Sequence, residues 1–193
     1  QLIAGGKISE TCGWQRSHSY GDPHDEAKAV RERVGIIDVS TLGKLDVRGV
    51  DAGQLLDFVY THRFSDLRPG RVRYGLMTGD NGTIMDDGTV ARLTDDRYYI
   101  TTSTANVETV EQWFKWWMAD RQICAHVTNI TAGYCAINVA GPDARATLAK
   151  LTDVELEPKK FRYMQVKNGQ VGGIPAMVLR IGFVGESGWK IHV

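Results

Sequence analysis

Two consecutive carboxylates, Asp86 and Asp87, lie in a stretch whose other residues are typical of β-strands. Residues 74–93 contain two strand-like runs joined by the turn sequence GDNG at 79–82. Acidic residues are depleted in strands, so either Asp87 and Gly88 form another turn, or a carboxylate is required here for chemistry. A carboxylate beside a bound amine can orient it, accept its proton or stabilise its positive charge. The residues alone favour neither interpretation.

Strand geometry separates the roles of the two carboxylates. Neighbouring side chains of a strand point to opposite faces, so Asp86 and Asp87 cannot both face one pocket unless the backbone breaks at Gly88. We therefore expect one carboxylate to line a pocket and the other to bond nearby backbone.

Other catalytic patterns are missing: the chain has no GxSxG, HExxH or phosphate-binding GxxxxGK[ST] sequence, and its five histidines show no metal spacing.

Composition excludes several classes of partner. Twenty-three basic and twenty-three acidic residues cancel without runs of like charge, which argues against a nucleic-acid or anionic-membrane partner. The three cysteines, Cys12, Cys124 and Cys135, have no zinc-site spacing and are interpreted as reduced packing residues of a cytoplasmic protein. No apolar run approaches the roughly 20 residues that span a bilayer. The sequence therefore predicts a soluble, cytoplasmic protein.

The ends of the chain predict a longer protein. The sequence begins at Gln1 without a methionine and stops at Val193 within a strand-like run. We expect that both ends were cut and that part of any active site lies elsewhere.

The pattern of elements predicts an α+β fold with antiparallel sheets and flanking helices. Residues 1–23 read as an extended segment, after which Asp22 and Pro23 open a helix. A strand, tight turn and helix occur at 43–59 and again at 137–151, either as a common turn used twice or as two related halves. A helix is predicted at 107–118, with Ser103 or Thr104 as its cap.

Five sequence blocks resemble the folate-binding aminomethyltransferase family, which includes the glycine-cleavage T-protein. In order they are VGIIDVSTLGKLDVRGVDA (34–52), RPGRVRYGLM (68–77), GTIMDDGTVARL (82–93), AGPDARATL (140–148) and GFVGESGW (182–189). Their sequences are most similar to those of the folate domains of the sarcosine oxidase α subunit and dimethylglycine dehydrogenase. The resemblance runs from about residue 24 to the end of the chain.

The resemblance implies a tetrahydrofolate-dependent transferase that takes a one-carbon group from a small-molecule amine, such as sarcosine, dimethylglycine or a glycine-derived aminomethyl group. It implies a first α+β unit at 24–122 and a second, truncated unit at 123–193. The C-terminal barrel-like domain of the same chain would be missing, and the fragment would be inactive alone. A flavin-binding oxidase or dehydrogenase half is an expected partner.

The resemblance also assigns site residues. Asp87 corresponds to the family's key carboxylate, Asp86 to its supporting neighbour, and Tyr74 to a residue that lines the same channel. Further positions expected to contact the folate are Thr102, Ser103, Met164 and Phe183. Glu186, on the glycine-rich loop at 182–188, is a further ligand-contact candidate because glycine backbone can approach a ligand closely.

Two positions depart from the family pattern. Lys190 stands where the family has a glutamate that grips the pterin edge, and lysine cannot accept hydrogen bonds from the pterin N–H groups. Residues 61–63 read THR instead of TND. These departures leave an alternative function open: a diverged, non-catalytic folate-binding or structural module of a larger assembly.

Overall fold

The computed structural model describes residues 1–193 and contains three antiparallel sheets with helices packed beside them. The strands are β1 Lys7–Thr11, β2 Trp14–Ser19, β3 Gly35–Asp38, β4 Gly43–Arg48, β5 Val72–Thr78, β6 Ile84–Thr94, β7 Arg97–Thr102, β8 His126–Asn129, β9 Ala136–Ala140, β10 Gln165–Val171, β11 Ile174–Arg180 and β12 Gly188–His192. The helices are α1 Pro23–Glu32, α2 Ala52–Val59, α3 Val107–Arg121 and α4 Ala144–Leu148, with short 3-10 helices at Leu2–Ala4 and Thr131–Gly133. The predicted α+β class is confirmed.

The chain divides into two compact units that do not follow sequence order. The contiguous unit is Leu42–Gly133, and the split unit combines Gln1–Thr41 with Tyr134–Val193. Residues before 42 join the later ones because β3 pairs with β9, Ile37 lying opposite Asn138. This grouping differs from the expected segments 1–23, 24–122 and 123–193, since pairing over a hundred residues leaves no local sequence signal.

The contiguous unit is a five-stranded sheet in the order β5-β6-β7-β4-β8, with α2 and α3 against one face. Alternate strand residues and one face of each helix bury apolar side chains, which excludes water from a single core. Its largest fully buried members are Tyr98, Phe64, Phe114, Leu45, Leu55, Leu56, Met77 and Ile100. The predicted β5–β6 hairpin is confirmed, and Gly82 N–H donates to Gly79 C=O across its turn.

The start of α3 differs from the prediction. The N-cap residue is Asn106, not Ser103 or Thr104, and its side chain does not bond the helix backbone. The Asn106 amide instead donates to the carbonyl of Met85 and to the Asp86 carboxylate. A local capping pattern cannot reveal this role, because the acceptors lie about twenty residues away.

The split unit contains a sheet in the order β10-β11-β12-β9-β3, together with α1, α4 and the separate hairpin β1–β2. Its core gathers Trp189, Phe161, Val178, Ile191, Val139 and Leu148. The segment 1–23 is thus not one extended stretch, since the chain reverses at Cys12 and Gly13, both with positive φ. The β10–β11 turn is at Gly172 and Gly173, and residues 168–169 lie inside β10.

Two further features bear on the expectations from composition. All three cysteines are exposed and free, so their interpretation as packing residues is wrong. None of the helices combines the length and apolar character that crossing a bilayer requires.

The N-cap of α1 gives a stability prediction. Asp22 accepts a hydrogen bond from His24 N–H at 2.7 Å, which satisfies one otherwise orphaned helix donor. Asp22→Ala is expected to lower the free energy of unfolding by about 1 kcal/mol, measured by urea denaturation. Asp143→Ala is the matched control, because Asp143 also occupies an N-cap but forms no side-chain cap hydrogen bond. Equal losses in the two variants would contradict the prediction.

Candidate functional site

Strand β6 runs without interruption through both carboxylates. Asp86 lies opposite Met77, Asp87 opposite Leu76, and Gly88 opposite Gly75 in the β5–β6 ladder. The interpretation of Asp87 and Gly88 as a turn is therefore wrong. The acidic residues belong to a regular strand, so their side chains point to opposite faces of the sheet.

The two facing glycines let other groups approach this part of the sheet. A Cβ atom on Gly88 would lie 1.8 Å from the carbonyl oxygen of Thr101, and one on Gly75 would lie 2.8 Å from the rings of Tyr60 and Phe64. Neither position has room for a side chain. Close packing therefore requires the glycine that follows the two aspartates, although the Asp-Gly sequence is typical of a turn.

Asp86 is a structural carboxylate. It is 2% exposed, and it accepts hydrogen bonds from the Ser103 backbone N–H at 3.2 Å and the Asn106 amide at 3.2 Å. These contacts join β6 to the segment that leads into α3. A buried carboxylate requires such donors. This confirms the expectation that one of the two aspartates bonds nearby backbone.

Asp87 forms a pair with Tyr74 on the other face of the hairpin. The Tyr74 hydroxyl donates to Asp87 Oδ2 at 2.6 Å, while Oδ1 forms no hydrogen bond. Tyr74 is 44% exposed and Asp87 is half-buried, so the pair is within reach of a ligand. The hydrogen bond to Asp87, together with partial burial and the charge of Asp87, raises the pKa of Tyr74 to about 12. The site therefore offers one carboxylate oxygen fixed by a phenol and one available as an acceptor.

The tyrosine titration gives a second prediction. Phenolate absorbance should show a component near pH 12 that Tyr74→Phe removes, and Asp87→Asn should move that component toward the ordinary value of 10. Because the folded-state pKa is raised, stabilisation by this hydrogen bond is complete below about pH 10 and is lost as the pH rises toward 12. Tyr163→Phe, which removes an exposed tyrosine elsewhere, should leave the component intact. A wild-type curve that lacks the component would contradict the pairing.

Tyr60 is a neighbour that sequence reasoning missed. Its hydroxyl is buried without a hydrogen-bond partner. Burial, reinforced by the negative charges of Asp86 and Asp87, raises its pKa far above the ordinary value. A phenol that stays protonated is a potential donor beside the carboxylates. Its position just after a helix gives no motif by which the sequence would identify it.

Thr102 and Ser103 lie close to the carboxylates, but their hydrogen bonds hold the backbone of this segment in place. Thr102 is 2% exposed, and its hydroxyl donates to the Ser103 carbonyl at 3.1 Å. Ser103 contacts Asp86 through its N–H, not through its hydroxyl. The observed role of both residues is to hold the end of β7 against β6, and contact with a folate remains a prediction.

Four of the predicted site residues belong to the split unit. Lys190, on β12, has its Nζ 5.8 Å from the ring centroid of Phe183, which is 79% exposed. Glu186 Oε1 is paired with Arg31 of α1 at 2.9 Å, and contact of Glu186 with a ligand stays a prediction. Met164 has a positive φ of 59° and donates its N–H to the Arg180 carbonyl. The structure thus places Lys190 beside Phe183 and pairs Glu186 with helix α1.

Lys190 is an unusual buried cation. It is 7% exposed, no carboxylate forms an ion pair with it, and burial lowers its pKa. Strand alternation places it on the face opposite Trp189 and Ile191, which belong to the apolar core.

Two open grooves contain none of the predicted site residues. One, with a volume of about 660 Å³, lies beside α3 and is lined by Trp113, Trp116, Glu108, Thr109, Glu111, Gln112 and Asn129. The other, of about 560 Å³, is bordered by β2, α1 and β3 in the split unit. The volume of a groove therefore does not indicate where the carboxylates Asp86 and Asp87 lie.

Comparison with known proteins assigns the family. The model of the GCVT N-terminal domain matches residues 2–193. The sarcosine oxidase subunit alpha of Corynebacterium sp. (strain U-96) is 34% identical over all of this chain and 21% of its own length. The aminomethyltransferase of Thermosipho melanesiensis is 32% identical over 97% of this chain and 51% of its own length. The chain thus spans about half of the aminomethyltransferases and about a fifth of the oxidase subunits that it matches.

Solved structures show the same fold. The glycine cleavage system aminomethyltransferase T from Bartonella henselae superposes with a TM-score of 0.85 at 23% identity, over all of this chain and 51% of that one. The heterotetrameric sarcosine oxidase from Corynebacterium sp. U-96 gives a TM-score of 0.65 at 19% identity, over 88% of this chain and 82% of that one. With the family model matching nearly every residue, the chain belongs to the GCVT N-terminal domain family.

Proposed function

We propose that this chain is the folate-binding part of a tetrahydrofolate-dependent one-carbon transferase, and that Asp87 is its catalytic carboxylate. The donor would be an amine such as sarcosine, dimethylglycine or a glycine-derived aminomethyl group. The observation that carries the proposal is the Asp87–Tyr74 pair, in which one carboxylate oxygen is fixed and the other is available.

The relatives support this class of reaction. Proteins named aminomethyltransferase and sarcosine oxidase subunit alpha both match nearly all of the chain. Both names describe chemistry at the carbon next to an amine nitrogen. A positively charged nitrogen is the common feature that a carboxylate recognises.

The side chains at the pair suit this chemistry. Asp87 Oδ1 can accept an N–H from a protonated amine, or from a reduced pterin ring, because nothing in the structure bonds it. The nearby Tyr74 and Tyr60 hydroxyls are kept protonated by their raised pKa values and therefore add no charge of their own. The carboxylate oxygen that remains available as an acceptor therefore fits an N–H-rich or cationic ligand.

The roles of the residues follow from these contacts. Asp87 would hold the amine nitrogen by a hydrogen bond and stabilise positive charge as it develops there. Tyr74 would fix the orientation of Asp87, so that no reorientation is needed during reaction. Asp86 positions β6 against Ser103 and Asn106 without touching the ligand. When bound, tetrahydrofolate supplies the nucleophilic nitrogen that receives the carbon.

The proposed function is tested by an assay of transfer. The purified protein, in the longest form that its gene encodes, is incubated with each candidate amine in the presence and absence of tetrahydrofolate. At least one amine should give a one-carbon derivative of tetrahydrofolate, and formation of that product should saturate with the tetrahydrofolate concentration. Failure of all three donors to give such a product would overturn the proposal.

A second candidate function is a diverged, non-catalytic folate-binding or structural module, and Lys190 favours it. Lysine offers three donors and no acceptor where the family pattern has a carboxylate, so the usual grip on a pterin edge is lost. Direct titration with tetrahydrofolate separates the two functions. Saturable binding without transfer supports the module, whereas binding with transfer excludes it.

We further propose that the chain acts beside other parts of a larger protein, including the C-terminal barrel-like domain and a flavin-binding oxidase or dehydrogenase half. The heterotetrameric sarcosine oxidase among its structural relatives supports this proposal. The absorbance spectrum of the natively purified protein tests it. A flavin spectrum is expected, and a preparation that transfers carbon without flavin would contradict the flavin-binding partner.

A further inference from the structure

Helix α3 of the contiguous unit exposes large aromatic side chains to solvent. Trp116 is 63% exposed, and the neighbouring Trp113 is half-buried. Their rings meet edge to face with centroids 6.0 Å apart, and both border the groove of about 660 Å³ beside α3, which we call the α3 groove. A tryptophan left in water forgoes the burial of a large apolar area, so exposed tryptophans in a groove indicate an interaction surface.

The rim of the α3 groove is acidic. Glu108 and Glu111 lie on it together with uncharged polar side chains, and the lining includes no lysine or arginine. Lys115 forms an ion pair with Glu111 at 2.7 Å, whereas Glu108 is exposed and forms no ion pair. The groove therefore combines aromatic rings with an unbalanced negative charge.

Helical spacing produces this combination. Glu108, Gln112 and Trp116 follow one another at intervals of four residues, so they lie in one row along α3. At 1.5 Å per residue the row is about 12 Å long. It has a free carboxylate at one end and an exposed indole ring at the other, which suits a segment with two basic side chains.

The chain itself supplies a cation for the other end of the same aromatic cluster. The guanidinium carbon of Arg121 is 4.7 Å from the ring centroid of Phe58 and 5.6 Å from that of Trp117. Trp117 contacts both Trp113 and Trp116, but no cation of the chain lies over those two rings. The equivalent cation for the exposed end must come from another molecule.

We propose that the α3 groove is a docking surface for a basic segment of a separate protein. An arginine of that segment would lie over the ring of Trp116, and a second basic side chain would pair with Glu108. A groove with acidic and no basic lining complements such a segment in charge. Its polar rim is typical of an interface between separately folded proteins, since obligate interfaces are more apolar.

This docking surface does not depend on the proposed transferase function. The Asp86 carboxylate bonds Asn106 at the start of α3, so strand alternation places Asp87 on the face of the sheet away from the helix. Binding at the groove is therefore measured without folate or amine, and failure of carbon transfer is a separate result.

A peptide pair tests the chemistry of the groove. The probe is the blocked, fluorescein-labelled peptide Arg-Leu-Ala-Arg-Gly, whose two arginines lie about 10 Å apart when extended. The matched probe contains citrulline, which keeps the shape of arginine without its charge, at both arginine positions. Fluorescence anisotropy with the longest form of the protein that its gene encodes should show saturable binding of the arginine peptide. The citrulline peptide should bind about fivefold or more weakly.

Variants assign this preference to the groove. Trp116→Ala should weaken binding of the arginine peptide about fivefold or more and bring the two peptides to similar affinities. Glu108→Gln should weaken it about twofold or more. Trp14→Ala and Glu10→Gln make the same changes at exposed positions of the β1–β2 hairpin and should leave the affinity unchanged.

Photochemical cross-linking tests the occupant. With Trp116 replaced by p-benzoylphenylalanine in the full-length protein in its native host, irradiation should link this position to a segment of a different protein that contains two or more lysines or arginines. The proposal requires both this result and the preference for the arginine peptide. It is overturned if the arginine peptide does not bind, if the preference survives Trp116→Ala, or if the cross-links are absent. Cross-links confined to the same polypeptide, to a second copy of it or to segments without basic residues overturn it as well.

Discussion

Asp87→Asn is expected to lower kcat for folate-dependent carbon transfer by about 10²- to 10³-fold, the range seen when one preorganised electrostatic group is removed. Asparagine keeps the shape of the side chain and can still accept the hydrogen bond from the Tyr74 hydroxyl. It loses the negative charge that would stabilise a cationic nitrogen. The loss should therefore appear mainly in kcat, with a smaller change in KM, and steady-state kinetics measures both.

A matched control for this variant is Asp80→Asn, which makes the same change of charge in the exposed β5–β6 turn. It should leave kcat near the wild-type value. If Asp87→Asn and Asp80→Asn have equal kcat values, Asp87 has no catalytic role.

Gly88→Ala is expected to lower the free energy of unfolding by about 3 kcal/mol or more, at the upper end of overpacking effects. The added Cβ would lie 1.8 Å from the Thr101 carbonyl oxygen, and backbone cannot move aside as a flexible side chain can. The strands β6 and β7 would have to separate at this point. Urea denaturation followed by tryptophan fluorescence measures the loss, and the same displacement of β6 should reduce transfer by moving Asp87.

Gly133→Ala is the control for this variant, because a Cβ there meets nothing within 4 Å. Its unfolding free energy should stay near the wild-type value. Equal stability of the Gly88 and Gly133 variants would contradict the close packing of β6 against β7.

The sequence predicted the elements around the carboxylates better than it predicted their roles. Alternation along a strand already required that Asp86 and Asp87 have different surroundings, and the structure assigns the buried, backbone-bonded role to Asp86. The turn interpretation was wrong because Gly88 is needed for an approach between strands that no local pattern encodes. The family resemblance, not strand geometry, singled out Asp87, and its catalytic role stays a prediction.

Long-range contacts explain most of the other differences. The cap of α3 was misassigned because Asn106 is used by Asp86 and Met85, which lie on another strand. The compact units were not predicted because β3 pairs with β9, and the sequence between them forms a complete unit of its own. The ion pair of Glu186 joins it to Arg31, which is 155 residues away, and its expected ligand contact stays a prediction. Each of these contacts depends on tertiary structure that periodicity cannot supply.

Lys190 differs from these contacts, because its identity alone already indicated a departure from the family pattern. Its departure from the family pattern was visible in the sequence, but its burial and its unpaired neighbour Asn138 required the structure.

The most direct test of the central proposal is to follow the carbon itself. Sarcosine and dimethylglycine labelled with ¹³C in the N-methyl group, and glycine-derived aminomethyl donor labelled in its methylene, are incubated with the longest form of the protein that its gene encodes, tetrahydrofolate and dioxygen as electron acceptor, and the folate product is examined by NMR. Wild-type protein should place the label on the folate from at least one donor, and Asp87→Asn should do so at a rate lower by about 10²-fold or more. Label that never reaches the folate, or that reaches it equally fast in both proteins, would contradict the assignment of Asp87 as the catalytic carboxylate.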